Sequence, residues 1–158
     1  VFVGKDGEGV PRYAMQRSTG EKTLKLEVDG SDKRYCFSMK GNSDMLIVSE
    51  SAIDALSMAT IMKQAGKPWK NYHYLSLGGV SIKKQSDVLP MALKQYLSDH
   101  PEIRRIRLAL DNDKVGHGAA EQIMRVLADQ YEVSASFPKH GKDFNEQLQR
   151  IRRTNKER

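Results

Sequence analysis

Acidic residues in four separated stretches stand where a catalytic cation could be held. Glu50 closes the apolar run Met45-Leu46-Ile47-Val48, and Asp54 follows one helical turn later. Asp111 closes the alternating stretch Ile103–Leu110, with Asp113 two residues on. Asp143 lies just past another short apolar stretch, in Pro138-Lys139-His140-Gly141-Lys142-Asp143. Carboxylates brought to one place repel one another unless a divalent cation neutralises them. Hard oxygen ligands suit Mg²⁺, which binds through one or two carboxylates, waters and substrate phosphates. Crowding also raises a carboxyl pKa toward working pH, where it can move a proton. Each acid has a plainer reading as well. Asp113 and Asp143 are equally helix caps, Asp54 a first-turn acid facing the helix dipole, and Glu50 a solvated strand end.

The elements that must position these acids follow from periodicity. From Asp44 onward the rhythm is strand, helix, strand, helix. Met45–Val48 is a continuous apolar run, the mark of a strand buried on both faces. Ser51–Gln64 carries Ala52, Leu56, Ala59 and Met62 at helical spacing and stops at Gly66 and Pro68. Tyr72–Leu77 is the next strand, ending in Gly78-Gly79. A helix over Val88–Ser98 takes Asp87 as N-cap and Pro90 in its first turn. Ile103–Leu110 is a third strand, Gly116–Asp129 a helix and Val133–Phe137 a fourth strand. Asp143 caps a last helix running to Arg153, with Glu146 completing a capping-box pattern. Strands alternating with such helices predict a parallel sheet with right-handed crossovers, and ligands bind beyond the carboxyl ends of its strands.

Residues 1–43 have a different texture, polar and punctuated by glycine. Phe2-Val3, Tyr13–Met15, Leu24–Val28 and Arg34–Met39 read as brief strands of a small antiparallel meander. The alternation of Leu24, Leu26 and Val28, and of Tyr35, Phe37 and Met39, predicts one buried face for each.

The chain has 158 residues, 39% hydrophobic and 29% charged. That suits one ordinary domain with a small appendage and excludes wholesale disorder. No apolar run approaches the ~20 residues of a membrane helix, and no secretory leader is evident. The single Cys36 makes no internal disulfide, and histidines scattered at 73, 100, 117 and 140 argue against a Cys/His zinc cluster. A cytoplasmic protein is expected. The start at Val1 reads as a piece of a longer chain. Of the net charge of +6, +4 lies between Lys139 and Arg158, a basic tail that reads either as a solvated helix face or as a backbone-following element for nucleic acid.

The motifs resemble a known family. Leu46-Ile47-Val48-Ser49-Glu50-Ser51-Ala52-Ile53-Asp54-Ala55-Leu56 resembles the first motif of Toprim domains. Leu108-Ala109-Leu110-Asp111-Asn112-Asp113-Lys114-Val115-Gly116-His117-Gly118-Ala119-Ala120 resembles the second, Asp-x-Asp followed by Gly and an Ala pair. Gly141-Lys142-Asp143-Phe144-Asn145-Glu146 is similar to an element near the end of primase-type members. The resemblance spans about residues 44–150, in order. It is to the domains of bacterial primases and of primase-related proteins on plasmids, phages and conjugative elements. It implies an α/β fold, a Rossmann-like Toprim domain over 44–158 with a mainly parallel four-stranded sheet flanked by helices and a basic C-terminal helix, preceded by the small antiparallel β segment 1–43.

For the site, the resemblance implies Glu50 as general acid/base and metal neighbour, and Asp111, Asp113 and Asp143 as metal ligands. Asp54 and Asn145 support them. Lys142, Lys139, Lys83 and Lys84 are candidates for nucleic-acid or nucleotide phosphates. It implies Mg²⁺ as cofactor, with Mn²⁺ as substitute. Single-stranded DNA and nucleotides are the implied partners, together with zinc-binding, helicase or relaxase parts elsewhere in a longer chain. Primer synthesis is the leading reading. A Toprim nuclease and a non-catalytic nucleic-acid-binding module are the alternatives. Two positions depart from the pattern: Ser51 stands where primase members carry Gly, and Asn145 where many relatives carry a second acid. Among the rest, Gly78-Gly79 reads as a turn, Trp69 and Cys36 as packing, and His117 as a helix-start residue beside the acidic edge.

Overall fold

An unbroken apolar strand must be covered on both sides, and this requirement organises the molecule. In the computed structural model, which describes residues 1–19, 24–80 and 88–156 except the side chain of Asn155, the strand β5 (Met45–Ser49) is central. It pairs in parallel with β6 (His73–Ser76) on one side and β7 (Arg105–Ala109) on the other, Val48 lying opposite both Leu75 and Leu108. β8 (Glu132–Ser136) continues the parallel sheet beyond β7. Alternation then sorts the side chains. Leu46 and Val48 join Leu75, Ile106 and Leu108 under α2 (Met91–Asp99) and α3 (Lys114–Leu127). Ile47, Tyr74 and Ala109 face the other way, onto α1 (Ala52–Gln64) and Phe144 of α4 (Phe144–Lys156). Helices on both faces of a parallel sheet are what right-handed crossovers produce. No helix among the described residues is long and apolar enough to cross a membrane.

The four expected parallel strands are joined by a fifth. β4 (Ser38–Met39) pairs antiparallel with β6, giving the order β4-β6-β5-β7-β8. The leading segment also forms the antiparallel meander β1 (Phe2–Lys5), β2 (Pro11–Arg17) and β3 (Lys25–Glu27). Its Tyr13 and Met15, with Cys36, are buried in the same cluster as Leu75 and Leu77. The approach is tight at Gly4, where a Cβ would lie 1.6 Å from the Tyr35 carbonyl oxygen.

Three local expectations are corrected. Arg34–Met39 is not one strand: Lys33–Tyr35 forms a 3-10 turn, because the Asp32 carboxylate accepts the Arg34 N–H at 3.0 Å and pairs with its guanidinium at 2.7 Å. A local side-chain cap outcompetes an alternating pattern over so few residues. Leu24, Leu26 and Val28 are not buried but 55%, 51% and 38% exposed: β3 is the edge strand of its sheet, and only Glu27, opposite the buried Met15, is partly covered. The helix expected from Val88 begins at Met91. Pro90 disfavours a helical Leu89 and itself takes the extended cap position, and the expected Asp87 cap lies outside the described residues.

Ser49, at the end of β5, is fully buried, and its hydroxyl has no hydrogen-bond partner among the described residues. A buried unpaired hydroxyl is destabilising. Ser49→Ala is therefore expected to raise stability by about 1 kcal/mol, read as a higher urea midpoint at unchanged slope. A lower midpoint would mean that the hydroxyl is satisfied in solution.

Candidate active site

The strand order reverses direction between β5 and β7: the chain leaves β5 toward β6, then crosses back to β7 and continues outward to β8. In open α/β sheets the crevice at such a switch point, beyond the carboxyl ends of the strands, is where ligands bind. Glu50 follows β5 and Asp111 lies two residues beyond β7, so the topology delivers both to this crevice. Burial is the largest influence on Glu50, and the charges of Asp111 and Asp113 add to it, pushing its pKa up to about 7. Burial likewise pushes Asp111 up to about 6, with Asp54, Asp143 and Asp113 adding to the effect. The charges of Asp111 and Asp113 thus reach Glu50, and those of Asp54, Asp143 and Asp113 reach Asp111.

Each loop is built to hold its carboxylate still. Gly78 and Gly79 both take positive φ, and the Gly79 N–H donates to the Glu50 carbonyl at 3.0 Å, so the glycine pair is a turn that fixes the end of β5. Ser51 caps α1, its hydroxyl accepting the Asp54 N–H at 3.2 Å while donating to the Asp54 carboxylate. This gives the departure from Gly at position 51 a structural reason. Asp54 itself is 6% exposed, and burial raises its pKa. Its other oxygen accepts the Asn145 N–H at 3.2 Å, tying the start of α4 to α1.

Asp113 is both cap and edge acid. Its Oδ1 accepts the Gly116 N–H at 2.8 Å, which holds its pKa below the ordinary range, and its Oδ2 faces Lys142. Gly116 explains the glycine of the motif: a Cβ there would lie 2.1 Å from the Asp111 carbonyl oxygen. Asn112, between the two acids, stitches this loop to the last one. Its N–H donates to the Lys142 carbonyl at 2.8 Å and its amide to the Pro138 carbonyl at 3.3 Å. His117 stacks on Phe137 at 3.7 Å and hydrogen-bonds the Asn112 side chain, so it braces the loop from outside the carboxylate cluster.

From the last loop, Lys142 extends its ammonium to 3.5 Å from Asp111 and 3.3 Å from Asp113, and those carboxylates raise its pKa. The side chain is 59% exposed. Asp143 caps α4 by accepting the Glu146 N–H at 2.7 Å. The expected capping box is shifted, since Glu146 returns to the Lys142 N–H and not to that of Asp143. The Asn145 side chain lies against the Ser57 hydroxyl at 3.5 Å, in the contact between α1 and α4. Lys139 is exposed on the same loop, and Lys83 and Lys84 lie outside the described residues.

The donors gathered here are carboxylate oxygens, with one mobile ammonium already between two of them. Two of the acids are pushed up by burial and mutual charge, so a cation placed among them relieves an existing strain. That chemistry fits a magnesium-sized hard cation. The edge carboxylates are not packed into a closed cage: the one trio of ligand atoms within 4.8 Å among the described residues lies elsewhere, at His73, His100 and Glu102. An open edge accords with Mg²⁺, which keeps several waters.

Comparison with known proteins agrees with this fold. The chain is similar to the primase fragment of the bacteriophage T7 primase-helicase protein, with a TM-score of 0.59 at 16% identity over 98% of this chain and 60% of that one. It is equally similar, at a TM-score of 0.59 and 16% identity, to a chain in the structure of bacteriophage T7 lagging-strand DNA polymerase with the primase domains of two gp4 subunits, an RNA/DNA hybrid and dTTP, covering 99% of this chain and 74% of that one. At such identity the likeness is one of fold. The chain thus spans about three fifths of the T7 primase fragment. No curated protein matches the sequence. A Toprim-like family model matches residues 47–148, from within β5 through both aspartates and into α4. With its motifs in order and its acids at the switch point of the sheet, the chain belongs to the Toprim-like family.

Proposed function

We propose that this domain carries out divalent-cation-dependent phosphoryl transfer on nucleic acid, as primase-type nucleotidyl transfer on single-stranded DNA. The observation that carries the proposal is that Glu50 and Asp111 follow the ends of adjacent parallel strands at the switch point of the sheet, where the charges of Asp111 and Asp113 add to burial in pushing Glu50 up to about 7. Asp111 and Asp113 would hold Mg²⁺, or Mn²⁺ in its place, with Glu50 and Asp143 beside them; when bound, the ion neutralises charge on the phosphoryl group in transit. Glu50, titrating near working pH, is placed to take the proton from an attacking hydroxyl. Lys142, largely exposed beside both aspartates, would offer its ammonium to a phosphate, with Lys139 exposed on the same loop. The T7 fragment belongs to a primase-helicase protein. This supports a setting in a longer replication or mobile-element protein whose other parts supply template handling.

The test is incorporation of labelled nucleotides on a single-stranded template with Mg²⁺ or Mn²⁺, run beside cleavage of the same strand. Incorporation supports primer synthesis. Cleavage without incorporation would assign a nuclease, and binding without turnover, unchanged in Glu50→Gln, would leave only a binding module.

Glu50 also makes stability depend on pH. Its pKa is higher in the folded chain than its ordinary 4.5. Its contribution is therefore full below the unfolded value and disappears as pH rises through about 7. Without divalent cations, stability is expected to fall by on the order of 2 kcal/mol through that window, with Asp111 adding in the same direction, and Glu50→Gln should flatten the profile. Urea melts at several pH values measure it. An equally steep profile in Glu50→Gln would place the titration elsewhere.

A further inference from the structure

The geometry points to a second cation site, of imidazole and carboxylate chemistry, at the opposite end of the sheet from the acidic edge. His73 opens β6, whose other end adjoins the acidic crevice, and is fully buried. His100 ends α2, and Glu102 follows in the loop to β7. Candidate ligand atoms of these three residues lie within 4.8 Å of one another. Glu102 Oε1 is 3.1 Å from His100 Nδ1 and 3.9 Å from His73 Nε2. Neighbouring ligands of a four-coordinate ion with ~2.0–2.1 Å bonds lie a little over 3 Å apart, so little movement is needed to close the set. The Ser43 carbonyl, 3.1 Å from His73 Nε2, is a fourth donor beside the set.

The surroundings resemble those of ligands held in advance. His73 Nδ1 is 3.0 Å from the Tyr96 hydroxyl, a group that can donate or accept. His73 Nε2 faces only acceptors, the Ser43 carbonyl and the Glu102 carboxylate, and so carries the ring proton without an ion. An ion there would shift that proton to Nδ1, where the Tyr96 hydroxyl can accept it, and outer partners of this kind orient metal-binding imidazoles. The loop carrying His100 and Glu102 is stitched down: the Ile103 N–H donates to the His100 carbonyl at 3.2 Å, the N–H groups of Arg104 and Arg105 both donate to the Asp44 carbonyl at 3.0 Å, and the Arg105 guanidinium pairs with the Asp44 carboxylate. Two nitrogens and two oxygens suit a borderline ion of the Zn²⁺ class over Mg²⁺. Such an ion would pin the start of β6 to the end of α2. The scattered positions of the histidines, which argued against any zinc cluster, are overcome by topology: β6 and the loop before β7 both open at the same end of the sheet.

The test is titration of the whole chain with Co²⁺, then displacement by Zn²⁺. One equivalent is expected to bind with the intense visible absorption of four-coordinate Co²⁺ and to raise the melting temperature. His100→Ala and Glu102→Gln, the latter at an exposed position, are each expected to weaken binding by about a hundredfold. Binding should persist in the Asp111→Asn/Asp113→Asn double variant and in excess Mg²⁺. No binding, binding indifferent to both substitutions, or binding lost with the aspartate pair would each overturn the assignment.

Discussion

Asp111→Asn is expected to lower nucleotide incorporation by about a thousandfold or more while leaving the fold intact, and Asp113→Asn to act in the same direction. Loss of a residue that holds the cation removes several kcal/mol of transition-state stabilisation. Stability should move the other way. Asp111 is only 9% exposed, surrounded by Asp54, Asp143 and Asp113, and its pKa of about 6 leaves it charged at neutral pH. A neutral isostere relieves that repulsion, and the Lys142 contact it gives up is with a largely exposed ammonium, worth little. The variant should therefore melt at the same temperature or higher. Incorporation assays beside thermal melts measure both halves, and unchanged activity in a folded variant would remove Asp111 from the proposed machinery.

Gly116→Ala is expected to cost both stability and activity, because the added methyl group presses on the loop that carries Asp111. Helix propensity alone predicts a gain of about 1 kcal/mol for alanine inside α3. Packing predicts the reverse, because the new Cβ would meet the Asp111 carbonyl oxygen at 2.1 Å and its carbon at 3.0 Å, backbone atoms that cannot swing aside. Overpacking against backbone costs about 3 kcal/mol, so a net loss near 2 kcal/mol follows, with Asp111 displaced and activity reduced alongside stability. Urea denaturation decides between the two effects. A variant more stable than the parent would show that the turn has room to spare and that this glycine does not set the position of Asp111.

The parts of this molecule that were legible in the sequence are those where a single periodicity acts without competition. Met45–Val48 could only be a doubly covered strand, and the placement of Glu50 and Asp111 at strand ends followed from counting elements. Ser38 and Met39 lie in a stretch whose alternation predicts a strand of the leading meander; their pairing with Leu75 and Tyr74 in the other sheet is a long-range contact that periodicity does not reveal. Lys33–Tyr35 escaped because the pairing of Asp32 with Arg34 is a local interaction that pattern alone does not weigh. Leu24, Leu26 and Val28 alternate as a buried face does, yet Leu26 pairs with the exposed Gln16 of β2, on the face opposite to that on which Tyr13 and Met15 are buried. Ser51 and Asn145 read as departures from a motif. In the structure Ser51 is a helix cap bonded to Asp54 three residues on, and Asn145 is a contact between α1 and α4 that depends on Ser57, far away along the chain. The grouping of His73, His100 and Glu102 had no sequence signal, since it arises from where parallel strands begin.

The most direct measurement is anomalous diffraction from a crystal soaked in Mn²⁺. An ion seated against the carboxylates of Asp111 and Asp113, on the side facing Glu50, and lost from the Asp111→Asn/Asp113→Asn protein is the predicted result. Mn²⁺ found only at His73, His100 and Glu102, or absent from the crevice between β5 and β7 altogether, would contradict the account.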